Sequence, residues 1–320
     1  MAEKIATREA YGSALAEFGY KYNIIVFDAD LAEATKTVKF KKAYPERFFD
    51  CGIAEGNMVS VAAGLAAAGM KPCFAVYSTF LQRGYDQIIH DAALQNLPVV
   101  LAIDRAGFNN SDGTTHHGIF DVAFLSQISG VKIYAPVTYR GLSLSLMQAI
   151  AEPGVSAIRY PSGAENNKII GEFYSGVECD NIGIRTDFDV KNPPEHIMIT
   201  HGRIAAECID AKKILESQGE SAGIILCEYI SPYSKLADQI AAVVSDKGIK
   251  TVTFVEEEIR AGGFGMLLSD EMVRKGYLQG DIDIADLIVS NSDSTMNIGD
   301  INLKSFSSDE RYRMKFRSQF

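Results

Sequence analysis

Several features are missing from this chain, and each absence narrows its function. No apolar run is long enough to cross a membrane. The five cysteines are widely spaced and form no Cys-x-x-Cys pair, which argues against a disulfide framework or a cysteine-based zinc site and fits reduced thiols. Basic residues are outnumbered, 31 Lys and Arg against 41 Asp and Glu, which gives a net charge of −10. We therefore expect no surface for nucleic acid or for an anionic membrane.

From the first residues we expect no secretion signal. Its first nine residues, Met-Ala-Glu-Lys-Ile-Ala-Thr-Arg-Glu, contain no apolar segment of the kind that a signal peptide has. Together with reduced cysteines, this predicts a cytoplasmic protein. The length of 320 residues is enough for two compact domains, each with its own core.

Short apolar runs alternate with helical patterns, which predicts an α/β fold of two doubly wound domains, the first with a mostly parallel sheet and the second smaller. The predicted strands cover 23–27, 73–77, 99–103, 131–134, 155–158, 197–200, 222–226 and 251–255. The predicted helices cover 7–18, 81–94, 139–151, 203–217 and 234–247.

The alternation stops once, in a polar segment that contains Pro193 and Pro194. The sequence therefore predicts a first domain over 1–164, a linker over 165–195 and a second domain over 196–320. The last residues alternate basic and aromatic side chains from Arg311 to Phe320, and we interpret them as a solvated tail.

One stretch stands out, Gly52-Ile-Ala-Glu55, because a helix rich in small residues follows it, with five alanines between 62 and 68. Such side chains let a second surface approach closely. Glu55 is the one charged residue between Asp50 and Lys71, and at a helix start its carboxylate would be stabilised by the helix dipole. A simple helix-start carboxylate is the alternative.

Polar and aromatic side chains collect after the predicted strands of the first domain. In a parallel sheet ligands bind beyond the carboxyl ends of the strands, so this is the expected site. The candidates are Glu55, Tyr77, Phe80, Arg83, Arg105, Asp112, His116 and His117.

Other constellations are weaker. Asp112, His116, His117 and Asp121 offer metal-ligating atoms, but neighbouring histidines on a loop seldom point the same way, so no metal is expected on this chain. A Ser111, His116 and Asp121 triad lacks the nucleophile-elbow sequence.

In the second domain, Gly262-Gly-Phe-Gly265 is interpreted as a tight turn into a helix. We interpret His90, His196 and His201 as structural. The second domain shows no catalytic cluster, so a dimerising or scaffold role is predicted for it.

Four motifs resemble a known family. They are Gly-Ile-Ala-Glu55, Tyr77-Ser-Thr-Phe-Leu-Gln-Arg-Gly-Tyr-Asp-Gln87, Asp104-Arg-Ala-Gly107 with Asp112-Gly-Thr-Thr-His-His-Gly-Ile-Phe-Asp121, and Val255-Glu-Glu-Glu-Ile-Arg-Ala-Gly-Gly-Phe-Gly265. In this order they are similar to the pyrimidine-binding and C-terminal domains of thiamine-diphosphate-dependent transketolases, and in particular of 1-deoxy-D-xylulose-5-phosphate synthase. The first fifty residues look more like the C-terminal section of a split transketolase.

The resemblance implies roles for the residues that carry it. Glu55 would be catalytic and would hydrogen-bond the cofactor's aminopyrimidine ring as a proton donor, so that the cofactor's thiazolium carbon can attack a carbonyl. Phe80 would stack on that ring, with Tyr77 and Arg83 beside it.

The substrate side of the site follows from the same resemblance. His116, also catalytic, and Asp112 would face the substrate's hydroxyls, and Arg105 its phosphate. The substrates would be a sugar phosphate or a keto acid, and the enzyme would transfer a two-carbon ketol or acyl unit to an aldehyde.

Two departures from the family pattern shape the prediction. No Gly-Asp-Gly motif for the diphosphate and Mg²⁺ occurs, so we expect a partner chain that carries the diphosphate-binding domain, besides homodimerisation of this chain. After Arg159-Tyr-Pro161, Ser162 stands where the synthase has a second phosphate-binding arginine, and the loss would cost a phosphorylated substrate about 1.5–3 kcal/mol. The sequence leaves two alternatives open: a 2-oxo acid dehydrogenase beta subunit and a non-catalytic scaffold paralogue.

Overall fold

The computed structural model describes residues 5–108, 112–177, 179–244, 249–278 and 284–286. The chain divides into two compact units. The first comprises Met1–Glu165 and Cys179–Ile182, and the second comprises Asn166–Glu178 and Gly183–Phe320. None of the helices in these ranges has both the length and the apolar character that crossing a membrane requires.

A parallel sheet forms the centre of the first unit. Its strands are β1 (Ile24–Asp28), β2 (Phe48–Asp50), β3 (Lys71–Tyr77), β4 (Val100–Asp104), β5 (Lys132–Tyr134) and β6 (Ser156–Tyr160). Their order across the sheet is β5-β6-β4-β3-β1-β2. Every residue of β1, β4 and β6 is buried, as expected for a parallel sheet covered on both faces. The register pairs Tyr77 with Asp104 and Asp104 with Tyr160, so these strands end side by side.

Helices connect these strands. They are α1 (Thr7–Phe18), α2 (Ala32–Thr35), α3 (Val38–Ala43), α4 (Glu55–Ala67), α5 (Ser78–Leu81), α6 (Tyr85–Gln87), α7 (Asp121–Ser126) and α8 (Tyr139–Ala151). The bounds of α1 and α8 agree with the sequence prediction. Thr138 sets the start of α8, because its hydroxyl oxygen accepts the backbone N–H of Gly141 at 2.8 Å.

The segment predicted as one helix over 81–94 is wound differently. After α5 it continues as a 3₁₀ turn (Gln82–Gly84), the short helix α6 and a π-helical stretch (Ile88–Ala93). Gly84 explains part of this irregularity: a Cβ there would lie 3.0 Å from the Val59 side chain, so the segment passes close to α4. Periodicity reports average winding, whereas such tertiary contacts decide where the hydrogen-bond pattern shifts.

The second unit has a mixed sheet with mostly parallel strands. The strands of this sheet are β7 (Ile184–Thr186), β8 (His196–His201), β9 (Ala222–Cys227), β11 (Thr251–Glu256) and β12 (Ile284–Asp286), and the short strand β10 (Tyr229–Ser231) is not one of them. The helices of the unit are α9 (Asn167–Phe173), α10 (Ala205–Ser217), α11 (Tyr233–Val244) and α12 (Phe264–Arg274). The sheet order is β12-β11-β8-β9-β7, and β7 alone among these runs antiparallel to its neighbour. The predicted fold class, two α/β domains, is confirmed.

The segment predicted as a linker carries structure of its own. It contains α9 and β7, and residues 166–178 cluster with the second unit. The domain bounds 1–164, 165–195 and 196–320 stay a prediction. The predicted tail and the predicted end of the 234–247 helix lie outside the described residues.

Candidate active site

Glu55 opens α4 and is almost fully buried, with 3% of its surface exposed. Ala54, which precedes the helix, has no side chain that could cap it. Glu55 is the acidic residue of the first turn, where the helix dipole favours a negative charge. Its Oε1 accepts a hydrogen bond from Nη1 of Arg83 at 2.5 Å. A buried carboxylate at a helix start is thus paired with one cation.

Three rings lie next to this pair. Tyr77, at the end of β3, stacks on Phe80 with a centroid distance of 5.3 Å and an interplanar angle of 16°. His116 meets Phe80 edge-on at 5.4 Å. The guanidinium of Arg83 lies over Phe80, 4.9 Å from its centroid. These contacts place a flat aromatic surface beside the buried carboxylate.

Arg105 lies on the other side of Tyr77. Its guanidinium is 3.7 Å from the Tyr77 centroid, and its Nη1 and Nε donate to Asp104 at 2.6 Å and to Asp112 at 3.2 Å. Arg105 has a positive φ of 61°, which is strained for a residue with a side chain. The carboxylate of Asp104 also accepts the Arg105 backbone N–H at 2.8 Å, which holds this conformation.

Burial dominates the electrostatics of this region. It raises the pKa of Asp104 to about 6, against the lowering effect of Arg105. Burial also raises the pKa of Tyr77, so its hydroxyl stays protonated at neutral pH.

The loop from 104 to 118 is closed at its base. Gly107 and Gly118 exchange two backbone hydrogen bonds of 2.8 Å. A Cβ on Gly118 would lie 2.4 Å from the carbonyl oxygen of Arg105 and 2.6 Å from the Ser78 side chain, so only glycine fits. The loop carrying Asp112 and His116 therefore starts and ends against α5.

A cleft of about 440 Å³ opens beside these groups; it is lined by Thr79, Phe80, Gln82, Arg83, Thr115 and His116. Seven of the eight candidates named from the sequence form one network of contacts: Glu55, Tyr77, Phe80, Arg83, Arg105, Asp112 and His116. The neighbouring His117 instead packs its ring on Phe108. The roles assigned to these residues stay predictions.

Some contributors were not foreseen. Asp104 was quoted within a motif but was given no role, although it is buried and supports Arg105. Asp121, weighed as a metal ligand and as a triad member, forms a buried ion pair with Arg159, with Nε to Oδ2 at 2.9 Å. Ser111 lies outside the described residues. A carboxylate directly after a buried strand was the available signal for Asp104.

The second unit also holds a cluster of ionisable side chains, where the sequence predicted none of catalytic appearance. His201, Glu256 and Glu258 are buried, with potential ligand atoms within 4.8 Å of one another. His201 Nε2 lies 3.2 Å from Glu258, and Glu256 accepts the Gly265 N–H at 3.2 Å. Glu195, His196 and Glu220 form a second, more exposed group. In each group the histidine lies within ion-pair distance of one glutamate: His201 of Glu258 at 3.2 Å, and His196 of Glu220 at 3.0 Å.

Comparison with models of known protein families shows which family this chain belongs to. The model of the transketolase pyrimidine-binding domain matches residues 3–166. The chain belongs to the thiamine-diphosphate-dependent transketolase superfamily. It corresponds to the C-terminal half of these enzymes.

Individual relatives of this transketolase-family chain agree. It is 38% identical over 280 residues to the 1-deoxy-D-xylulose-5-phosphate synthase of Carboxydothermus hydrogenoformans and 40% identical over 277 residues to that of Halothermothrix orenii. These alignments cover 86% and 85% of this chain but 43% and 41% of the relatives. The chain thus spans about two fifths of their length.

Solved structures extend the comparison. A structure titled as a split-gene transketolase in an inactive beta4 tetramer matches with a TM-score of 0.73 and 27% identity, covering 98% of this chain and 95% of that one. A Pichia stipitis transketolase mutant in complex with xylulose 5-phosphate matches with a TM-score of 0.67 over 81% of this chain and 40% of that one. At 19% identity the second likeness concerns the fold alone.

The residues present fit one half of the superfamily's cofactor. A buried carboxylate beside a flat aromatic pair suits an aminopyrimidine, which offers a hydrogen-bonding edge and a π face. For the diphosphate and its metal, the sequence has no Gly-Asp-Gly motif. The fit therefore covers the pyrimidine half.

Proposed function

We propose that this chain is the catalytic-glutamate subunit of a two-chain, thiamine-diphosphate-dependent enzyme of the transketolase or 1-deoxy-D-xylulose-5-phosphate synthase type. The enzyme transfers a two-carbon ketol or acyl unit to an aldehyde. The observation that carries the proposal is the buried Glu55 carboxylate next to the stacked Tyr77 and Phe80 rings at an open cleft.

Each site residue then has a task. Glu55 holds a proton against a ring nitrogen of the pyrimidine, Phe80 provides the stacking face, and Tyr77 supports Phe80 from the side. Thiamine diphosphate, when bound, supplies the nucleophilic carbon that adds to a carbonyl.

The substrate is expected to bind against the side of the cleft that the loop with His116 forms. His116 contributes an imidazole, which suits hydrogen bonds to hydroxyls or proton transfer, and Asp112 and Arg105 lie on the same loop. Arg105 is the phosphate-binding candidate, and Ser162 in the second phosphate position favours an acceptor that is held less by its phosphate than in the synthase.

The two-chain arrangement is supported by one solved structure. The chain matches a structure titled as a split-gene transketolase over 98% of its own length and 95% of that chain. We assign the diphosphate-binding domain and most of the Mg²⁺ coordination to the partner chain. Helix α4 supplies a contact face, because Val61, Gly64, Ala67 and Ala68 are exposed while its other face is buried. The same face is available for homodimerisation.

The test is Glu55→Gln in the chain reconstituted with its partner. Loss of the carboxyl proton donor should lower turnover by roughly 10²–10⁴-fold without changing assembly, measured with pyruvate or a ketose phosphate as donor. Glu33→Gln, an exposed change on α2, is the matched control and should keep full activity. Unchanged turnover in Glu55→Gln would favour a non-catalytic scaffold.

The same reconstitution tests the remaining parts. The isolated chain should be inactive, and full turnover without a partner would refute the two-chain arrangement. Acylation of lipoamide by the pair would instead identify a 2-oxo acid dehydrogenase beta subunit.

A further inference from the structure

Asp50 is the last residue of β2, on the turn that leads to Glu55, and its side chain is exposed. Its Oδ1 accepts two backbone N–H groups, that of Gly52 at 3.1 Å and that of Asp30 at 3.0 Å. The first bond closes an Asx turn, because it reaches two residues along the chain. The second bond joins the end of β2 to the residues after β1. One oxygen thus holds the segments that follow two neighbouring strands.

Gly52 is the first residue beyond the sheet. Cys51 before it still donates its N–H to the carbonyl oxygen of Asp28 in β1, at 3.0 Å. Gly52 then has a φ of 65°, and Asp30, the other residue bound to Asp50, has a φ of 62°. Asp30 carries a side chain, for which this left-handed conformation is unfavourable. A hydrogen bond to an ionised carboxylate is stronger than one to a neutral oxygen, so the bond to Asp50 helps to offset that cost.

Side-chain packing contributes little to this turn. Ile53 is 74% exposed, and a Cβ on Gly52 would meet no atom within 4 Å in the part of the chain that the structure describes. Backbone hydrogen bonds lead from the turn into α4 instead. The carbonyl oxygen of Gly52 accepts the N–H of Ala54 at 2.8 Å, and that of Ala54 accepts the N–H of Met58 at 3.0 Å. The position of Gly52 therefore affects the start of α4, where Glu55 is buried.

We infer that Asp50 is a positioning residue for Glu55, the group that the proposed function makes catalytic; the inference rests on that function. Asp50 sets the turn as a hydrogen-bond acceptor, and through the turn it sets the direction in which the Glu55 carboxylate points. An oxygen at the Asx position is needed for this task, whereas a negative charge is not. Asparagine keeps that oxygen, while glutamate keeps the charge but not the Asx geometry.

The first readout is the backbone amide resonance of Glu55 in the full chain, together with amide hydrogen exchange at Gly52. Asp50→Ala should move the Glu55 resonance and speed the exchange, because the turn loses its acceptor. Asp50→Glu should do the same, and Asp50→Asn should keep both close to the wild type. The asparagine and glutamate variants both keep a polar side chain, so their comparison stands even if Asp50→Ala folds poorly.

The second readout is turnover of the chain reconstituted with its partner, with pyruvate or a ketose phosphate as donor. A misplaced catalytic group costs rate more than binding, so Asp50→Ala and Asp50→Glu should lower kcat by roughly 10- to 100-fold and change KM by less than about threefold. Asp50→Asn should stay within about twofold of the wild-type kcat, since it keeps the acceptor oxygen. Glu46→Ala removes another exposed carboxylate, just before β2, and should leave kcat and KM unchanged.

Three results would overturn the inference. They are a wild-type kcat in Asp50→Ala, a loss in Asp50→Asn as large as in Asp50→Ala, and a Glu55 resonance that is unmoved in every Asp50 variant. The second result would make the charge decisive instead of the oxygen. If Glu55→Gln keeps full turnover, the proposed function fails, and the resonance comparison still decides whether Asp50 positions Glu55.

Discussion

The two units place ionisable side chains at the same edge of similar sheets but cover them differently. In the first unit, the residues after β3 and β4 face an open cleft, and Arg83 is 55% exposed. In the second unit, His201 ends β8, Glu256 ends β11, and both are buried with Glu258. The two groups therefore differ in how far their side chains are exposed to solvent, more than in which residue types they contain.

The closed cluster has a clear structural task. Glu256 accepts the N–H of Gly265 in the first turn of α12, where a carboxylate complements the helix dipole. A Cβ on Gly263 would lie 2.9 Å from a Glu256 oxygen, so glycine makes room for this contact. The Gly-Gly-Phe-Gly sequence, interpreted as a tight turn into a helix, thus lets the carboxylate reach the helix end.

The largest effect should come from breaking the closed cluster. Glu258→Ala removes the carboxylate 3.2 Å from the buried His201 and should destabilise the chain by about 3–5 kcal/mol in urea unfolding. Arg83→Ala at the open edge should cost less than Glu258→Ala, since the Arg83 side chain is 55% exposed although its partner Glu55 is buried. Equal losses would remove the distinction between the two edges.

Asp104 is the buried carboxylate that supports Arg105 at the open edge, and its titration can be tested through the pH dependence of stability. Because burial raises its pKa to about 6, the folded chain binds this proton more tightly than the unfolded chain. Stability should therefore fall by about 3 kcal/mol as pH rises from about 4 to 6, and level off above that range. Asp104→Asn should lack this slope. The measurement is the difference between the unfolding free energies of wild type and variant across that range, and parallel curves would contradict it.

A substitution at Gly64 tests the exposed face of α4. The buried cluster of His201, Glu256 and Glu258 has no such exposed face. A Cβ at Gly64 meets nothing within 4 Å, so Gly64→Ala should stabilise the isolated chain by about 0.5–1 kcal/mol through helix propensity. If this face packs against another chain, the same change should weaken assembly, seen by sedimentation. Stabilisation with undiminished assembly would place the contact elsewhere.

The smallest effect should come from a surface ion pair of the second unit. Lys168 lies 2.5 Å from Asp210 with 49% and 39% of the side chains exposed. Lys168→Ala should therefore change the free energy of unfolding by no more than about 1 kcal/mol, and less at high salt. A loss comparable to that of Glu258→Ala would show that coverage does not govern these charges.

The sequence was sufficient for the fold class and for grouping the candidate residues at one edge of the first sheet, because burial and strand ends leave local patterns. Residues after successive parallel strands meet at one edge, which placed Glu55, Tyr77 and Arg105 together before any coordinates. The features that the sequence did not predict depend on contacts between residues that are far apart in the chain. The π-helical stretch at 88–93 and the pairing of Arg83 with Glu55 follow from the packing of that segment on α4.

The cluster of the second unit was missed for the same reason. His201 and Glu256 are 55 residues apart, and only the parallel pairing of β8 with β11 brings them together. Histidine and glutamate at separate strand ends carry no local pattern that would link them.

The paired backbone hydrogen bonds between Gly107 and Gly118 have one more consequence. They close the loop below its tip through backbone atoms, so this closure needs no side chain from the ten residues between them. Such a loop can be exchanged as a cassette. On the proposed function, replacing 108–117 by the corresponding segment of a related enzyme should change the acceptor preference while Glu55 keeps its place at the start of α4.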